Sequence, residues 1–139
     1  MKIYKRGITF GAFEIFHRGH YNLLKNAKEQ CEELIVCVSD DEYVKKAKGH
    51  NPEIPFDLRR EIVRAIKFVD RVGIQSAYHT KKKSVETLKA DVIFVGDDWN
   101  KKTFGGERLG VPVVYLPRTP QISSSKLRGN VVKLKNDKE

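Results

Sequence analysis

Residues 7–13, 34–38, 91–96 and 111–116 are short, mostly apolar runs, and the stretches between them repeat apolar residues at helical spacing. That order of elements constrains the fold more than any other feature. A strand covered on both faces shows no clean alternation, and 7–13 alternates poorly. Strands that alternate with helices assemble into a parallel sheet with helices on both faces. One helical stretch is 19–30, with Leu23, Leu24, Ala27 and Cys31 in a stripe. A second starts at Asp57, with Leu58, Ile62, Ala65, Ile66 and Val69 inward and Arg59, Arg60, Arg64 and Lys67 elsewhere. A third, 84–89, is capped by Ser84, with Val85 and Leu88 inward. A weaker run at 71–74 adds a fifth strand. The reading is one α/β domain over residues 1–132 with a parallel five-stranded sheet, then a charged tail at 133–139.

In such sheets ligands bind beyond the carboxyl ends of the strands. Four polar segments share that address: 13–20, 39–48, 96–99 and 118–126. In the first, the chain passes through a tight turn into a helix that opens with His17, Gly19 and His20. A helix N-terminus offers unpaired N–H groups and the positive end of a dipole, so it suits a phosphate. Imidazoles there can add hydrogen bonds. Singly, His20 reads as a hydrogen-bonded core residue and His17 as a loop residue; the pair over one turn favours phosphate. Zinc lacks a third ligand at suitable spacing. Asp40 or Ser39 can cap a short turn of helix, and residues 45–55 read as a mobile basic loop. Ser123, Ser124 and Ser125 open a final short helix, where capping and phosphate binding use the same N–H groups. Arg118 either ends a strand or meets an anion, and Asp97 and Asp98 either close a turn or touch a ligand.

Charge narrows the partners. Lys and Arg number 27 against 18 Asp and Glu, a formal net charge of +9, so anions are favoured. The basic residues are spread out, and no zinc finger, helix-turn-helix or RNP-type strand appears. A multiply charged small anion such as a nucleoside triphosphate fits the balance, and no nucleic-acid partner is expected. No apolar run approaches the ~18–20 residues of a membrane span. The opening Met-Lys-Ile-Tyr-Lys-Arg runs straight into a strand, so a cytoplasmic protein without a membrane partner is expected. Cys31 and Cys37 read as buried free thiols.

The string Gly-Ala-Phe-Glu-x-x-His-x-Gly-His at 11–20 resembles a motif of the cytidylyltransferase family of nucleotidyltransferases, GTFD-x-x-HxGH. Gly-Asp-Asp-Trp at 96–99 and Arg-Thr-x-x-Ile-Ser-Ser-Ser-Lys at 118–126, beside the family's RTxGISTT, complete a resemblance over about residues 7–130. It implies a Rossmann-like domain in which a substrate phosphate oxygen attacks the α-phosphorus of CTP in line. Pyrophosphate leaves and a CDP-alcohol forms, with no covalent enzyme intermediate. By that resemblance His17, His20, Lys46 and Arg118 are catalytic. Phe10, Gly11, Ala12, Phe13, Gly19, Lys48, Asp98, Thr119, Ile122, Ser123, Ser124 and Ser125 bind the nucleotide. Glu14, Arg59, Lys67 and Trp99 meet the acceptor, with Arg59 also a candidate for the triphosphate. The resemblance further implies Mg²⁺ accompanying CTP, no metal held by the protein, glycerol 3-phosphate as the favoured acceptor and a product used for a cell-surface polymer. It also implies a homodimer with its contact near the helix after Asp57, and a helix-end ion pair for Asp70.

The chain departs from that pattern in places. Ala12 and Glu14 stand for the family's Thr and Asp, Pro120-Gln121 for Glu-Gly, and Lys67 for an arginine. The acceptor is the most affected. Competing readings are an adenylyltransferase using ATP, a degenerate nucleotide-binding module, and a nucleic-acid binder resting on net charge alone.

Overall fold

The computed structural model describes residues 2–96 and 109–117. Along them the chain runs β1 (Tyr4–Gly11), α1 (Arg18–Gln30), β2 (Cys31–Ser39), α2 (Asp41–Lys48), α3 (Phe56–Arg64), β3 (Arg71–Gln75), α4 (Lys81–Thr87), β4 (Val92–Gly96) and β5 (Val113–Leu116). The strands form one sheet in the order β3-β2-β1-β4-β5, every pair parallel. The expected five-stranded parallel sheet is therefore present. Strand order reverses at β1, so the crevice beyond the carboxyl ends of β1 and β4 is the switch point where such sheets bind ligands.

Both faces are covered. Leu34, Val36 and Val38 of β2 and Val92 and Phe94 of β4 meet Leu24 and Ala27 of α1 and Val63 of α3. Ile35 and Cys37, with Ile93 and Val95, turn to the other face and meet Val85 of α4. Burying a leucine such as Leu24, which is fully enclosed, contributes about 1.5–3 kcal/mol. Gly7 is required by close approach: a Cβ there would lie 2.4 Å from the Phe94 ring. Cys31 and Cys37 are free and buried. Burial raises both thiols, Cys37 to about 11, so neither is a ready nucleophile. Among the described residues no helix is long and apolar enough to cross a membrane.

Three local expectations are corrected. The basic loop begins later than expected, because α2 runs to Lys48 and ends on Gly49 at φ 83°; Asp40 caps it, accepting from the Tyr43 N–H at 2.8 Å. The buried stripe within α3 is shifted by one residue, while Ile66 and Val69, beyond the end of the helix, pack against the core as expected. Leu58 and Ile62 are 51% and 42% exposed, while Arg59 and Val63 are fully buried. Both stripes have helical spacing, and the sequence favours the one without an arginine. Arg59 can go inside because each of its three nitrogens finds an acceptor there. Finally, Thr80 caps α4, its hydroxyl accepting from Lys83 N–H; Ser84 is buried inside the helix. The helix stops before Lys89, which has φ 54°.

Asp97, Asp98, Trp99, Arg118, Thr119, Ile122, Ser123, Ser124 and Ser125 lie outside the described residues, as do the segment expected to form a final short helix and the expected tail at 133–139.

Candidate active site

The turn between β1 and α1 sits at the switch point. Phe13 takes a left-handed backbone, φ 50°, which costs a side chain other than glycine about 1–3 kcal/mol. Its ring is buried against Phe16, at 6.3 Å between centroids, and against His20, at 5.1 Å. Gly11 leaves the space: a Cβ there would come within 2.9 Å of the Phe13 ring. The strained turn is thus held by aromatic packing, and it delivers the chain into α1 at His17.

His17 and His20 cap that helix reciprocally. His17 Nδ1 accepts from Gly19 N–H at 3.0 Å, and His20 Nδ1 accepts from His17 N–H at 3.3 Å. This is a capping box built of two imidazoles in place of the usual hydroxyl and carboxamide or carboxylate. A backbone N–H can only donate, so both Nδ1 atoms are unprotonated. In the neutral rings the proton then sits on Nε2, and each histidine carries an Nε2–H donor. The rings stack at 3.9 Å, 22° from parallel.

The rings are also held neutral. Burial lowers the His17 pKa. Burial against Phe13 and Phe16 lowers His20 to about 3, helped by the charges of His17 and Lys48. Neutral imidazoles that cannot accept at Nε2 are donors for an anion, not general bases. The positive end of α1 points the same way.

Two buried charges set the rest of the pocket. The Glu14 side chain is 2% exposed. Its carboxylate accepts from Glu53 N–H at 3.0 Å and from Lys48 Nζ at 3.3 Å. Arg59 is fully buried. Its Nη1 donates to the carbonyls of Ala12 and Ser39, its Nε to that of Ile54, and its Nη2 to Asp41, all within 2.8 Å. One guanidinium therefore ties the turn after β1, the end of β2, the 49–55 loop and α2. Four of its N–H groups are turned to protein acceptors, so it braces the turn; the structure shows this bracing beside the contact with acceptor or triphosphate expected of it.

On the other side of β1, Lys81 Nζ lies 5.6 Å from the Phe10 ring centroid and 5.9 Å from that of Tyr43. Tyr43 Oη accepts from Gln75 Nε2, and Ser39 Oγ donates to Gln75 Oε1. The ends of β1, β2 and β3 are thus joined to α2 and α4 at one edge of the sheet. Sequence reasoning missed Lys81 and Tyr43. The signals for Lys81 were that it heads the basic run 81–83 and opens the segment after a strand end, the address shared by the other polar segments.

Of the expected lysines, Lys48 reaches the turn. Lys46 is on the same last turn of α2, about 200° round the axis and exposed. The structure therefore does not bring the two together as a loop would. Lys67 is exposed, its Nζ 5.2 Å from the Phe68 ring, which packs on Tyr21 of α1. Asp70 accepts from Lys28 Nζ at 2.6 Å, at the end of α1, and from Leu34 N–H at 2.7 Å; this is the expected helix-end pair. Among the described residues no three His, Cys, Asp or Glu side chains converge on a metal position.

A family model described as cytidylyltransferase-like matches residues 8–130. The chain is 35% identical over 132 residues to a glycerol-3-phosphate cytidylyltransferase of Bacillus subtilis, covering 94% of this chain and 99% of that protein. It is 40% identical over 118 residues to an FAD synthase of Pyrococcus horikoshii, covering 81% and 80%. A crystal structure described as a lipopolysaccharide core biosynthesis protein from Thermoplasma volcanium superposes with a TM-score of 0.69 at 27% identity, over 84% of this chain and 97% of that one.

Proposed function

The chain belongs to the cytidylyltransferase-like family, and we propose that within it this protein transfers a cytidylyl group from CTP to a small alcohol phosphate, releasing pyrophosphate. The observation that carries the reading is the pair of Nε2–H donors of His17 and His20, held neutral at the start of α1 beside Lys48. A phosphoryl centre under attack gains charge on its equatorial oxygens, and fixed donors stabilise that charge most in a water-poor site.

In this reading CTP arrives as its magnesium complex, the ion borne by the triphosphate oxygens. Phe10, Gly11, Ala12, Phe13 and Gly19 form the wall along which the α-phosphate lies. An oxygen of the acceptor phosphate attacks the α-phosphorus, the bond to the bridging oxygen breaks on the opposite side, and pyrophosphate carries away the electron pair. His17 and His20 donate to the α-phosphoryl oxygens throughout. Lys48 leaves or shares Glu14 to meet the triphosphate, and Lys46 adds charge from the rim. Arg118, Thr119, Ile122, Ser123, Ser124 and Ser125 cradle the β- and γ-phosphates. Asp98 accepts from the cytosine amino group, with Trp99 and Lys67 toward the acceptor. Glycerol 3-phosphate is the favoured acceptor, by likeness to the Bacillus protein. A homodimer through the exposed Leu58 and Ile62 face of α3, a cytoplasmic place and use of the product in a cell-surface polymer complete the proposal.

The likeness to a protein named FAD synthase favours a second reading, in which the nucleotide is ATP. Pyrophosphate release decides between them. The protein is incubated with Mg²⁺, either CTP or ATP, and a panel of alcohol phosphates and flavin mononucleotide. The first reading expects release that needs both CTP and an alcohol phosphate. Release only with ATP overturns it, and so does silence across the panel.

A further inference from the structure

Two features at this edge of the sheet are built to hold an ammonium group. One is a buried carboxylate, Glu14, whose side chain is 2% exposed. The other is the pair of rings of Phe10 and Tyr43, which face a common point. A cation within about 6 Å of an aromatic centroid is attracted by the ring's quadrupole, and quaternary ammonium ligands are recognised by such rings. In this protein both positions are filled from within. Lys48 Nζ lies 3.3 Å from Glu14 Oε2, and Lys81 Nζ lies 5.6 Å and 5.9 Å from the two ring centroids.

Resting on the cytidylyl-transfer reading above, we propose that Lys81 is a specificity-determining residue that excludes acceptors bearing an ammonium group, so that the acceptor is a polyol phosphate and not an amino-alcohol or choline phosphate. An incoming trimethylammonium or primary ammonium group gains nothing from rings already satisfied by a lysine. It must also approach the positive charges of Lys81 and Lys48. A hydroxylated acceptor meets neither cost, and its phosphate is attracted by the same two lysines. Like-charge placement of this kind discriminates by repelling the wrong ligand, not by adding contacts to the right one. The ring pair is held independently of Lys81: Phe10 belongs to β1, and Tyr43 is fixed by Gln75 through its hydroxyl. Removing the ammonium therefore leaves the rings in place and vacant.

The test uses Lys81→Leu, with Lys82→Leu as a control on the exposed side of the same helix turn. The first readout is kcat/KM with CTP for glycerol 3-phosphate and for choline phosphate. The wild-type and Lys82→Leu proteins are expected to prefer the polyol phosphate at least 100-fold, and Lys81→Leu to narrow that ratio at least tenfold. The second readout needs no turnover: choline titrated alone, followed by calorimetry or ligand-observed NMR. Lys81→Leu is expected to bind it at least tenfold more tightly than wild type. A ratio unchanged within twofold overturns the proposal while leaving cytidylyl transfer intact. If no acceptor is turned over, the transfer reading fails, and the choline titration still decides whether Lys81 blocks the ring pair: equal binding by wild type and Lys81→Leu overturns it.

Discussion

The histidine pair shows how much chemistry two residues can carry. Their spacing and the glycine between them are legible in the sequence, because helix starts and small-residue turns follow simple local rules. Their tautomers and neutrality are not, since both depend on aromatic rings that the turn folds over them. The consequences are measurable. Above pH 6.5 His20 is neutral in the native and unfolded chains alike. As pH falls through 6.5 towards about 3, the unfolded chain takes up a proton that the native one does not. Stability is therefore lost in that window. Thermal melts between pH 7 and pH 4 should show a smaller decline for His20→Asn than for wild type; parallel declines would show that His20 titrates normally. His17 separates capping from catalysis. His17→Ala loses a cap and about 1 kcal/mol, whereas His17→Asn keeps the cap at a few tenths. Both should lower kcat by a hundredfold or more, as removal of a preorganised donor does. Near-normal turnover by His17→Asn would confine His17 to capping.

At the scale of elements, the five parallel strands and three of the helical stretches could be read from apolar spacing, whereas their order in the sheet could not, and α3 shows the limit. Two stripes on that helix have equally good periodicity, and the rule that arginine is almost never fully buried selects the wrong one. The rule gives way because three carbonyls and a carboxylate converge on the Arg59 fork. Those acceptors come from four different segments, so no local pattern announces them. Removing one partner from a buried charged network costs on the order of 3–5 kcal/mol. Arg59→Met should lose about that much in urea unfolding. Arg59→Lys should recover only part, since an ammonium cannot reach all four acceptors in one plane. A loss under 1 kcal/mol for Arg59→Met would mean that the network is dispensable. The same unpredictability hides Lys81, whose ring partners come from β1 and α2.

At the scale of the whole molecule, a sheet that reverses at β1 leaves one crevice, and the turn with its two imidazoles, the Glu14–Lys48 pair and the Phe10–Tyr43–Lys81 group all gather at that edge. Fold and site are in that sense one design: the strained turn needs the helix it starts, and the helix needs the histidines that cap it. The central claim is that a triphosphate docks on the Nε2–H donors of His17 and His20. Side-chain ¹⁵N NMR of the histidines, recorded as CTP and Mg²⁺ are added, reads it directly. Both rings should show unprotonated Nδ1 and protonated Nε2 in the free protein, and both Nε2–H signals should move as CTP saturates. CTP that binds while those two signals stay still would contradict it.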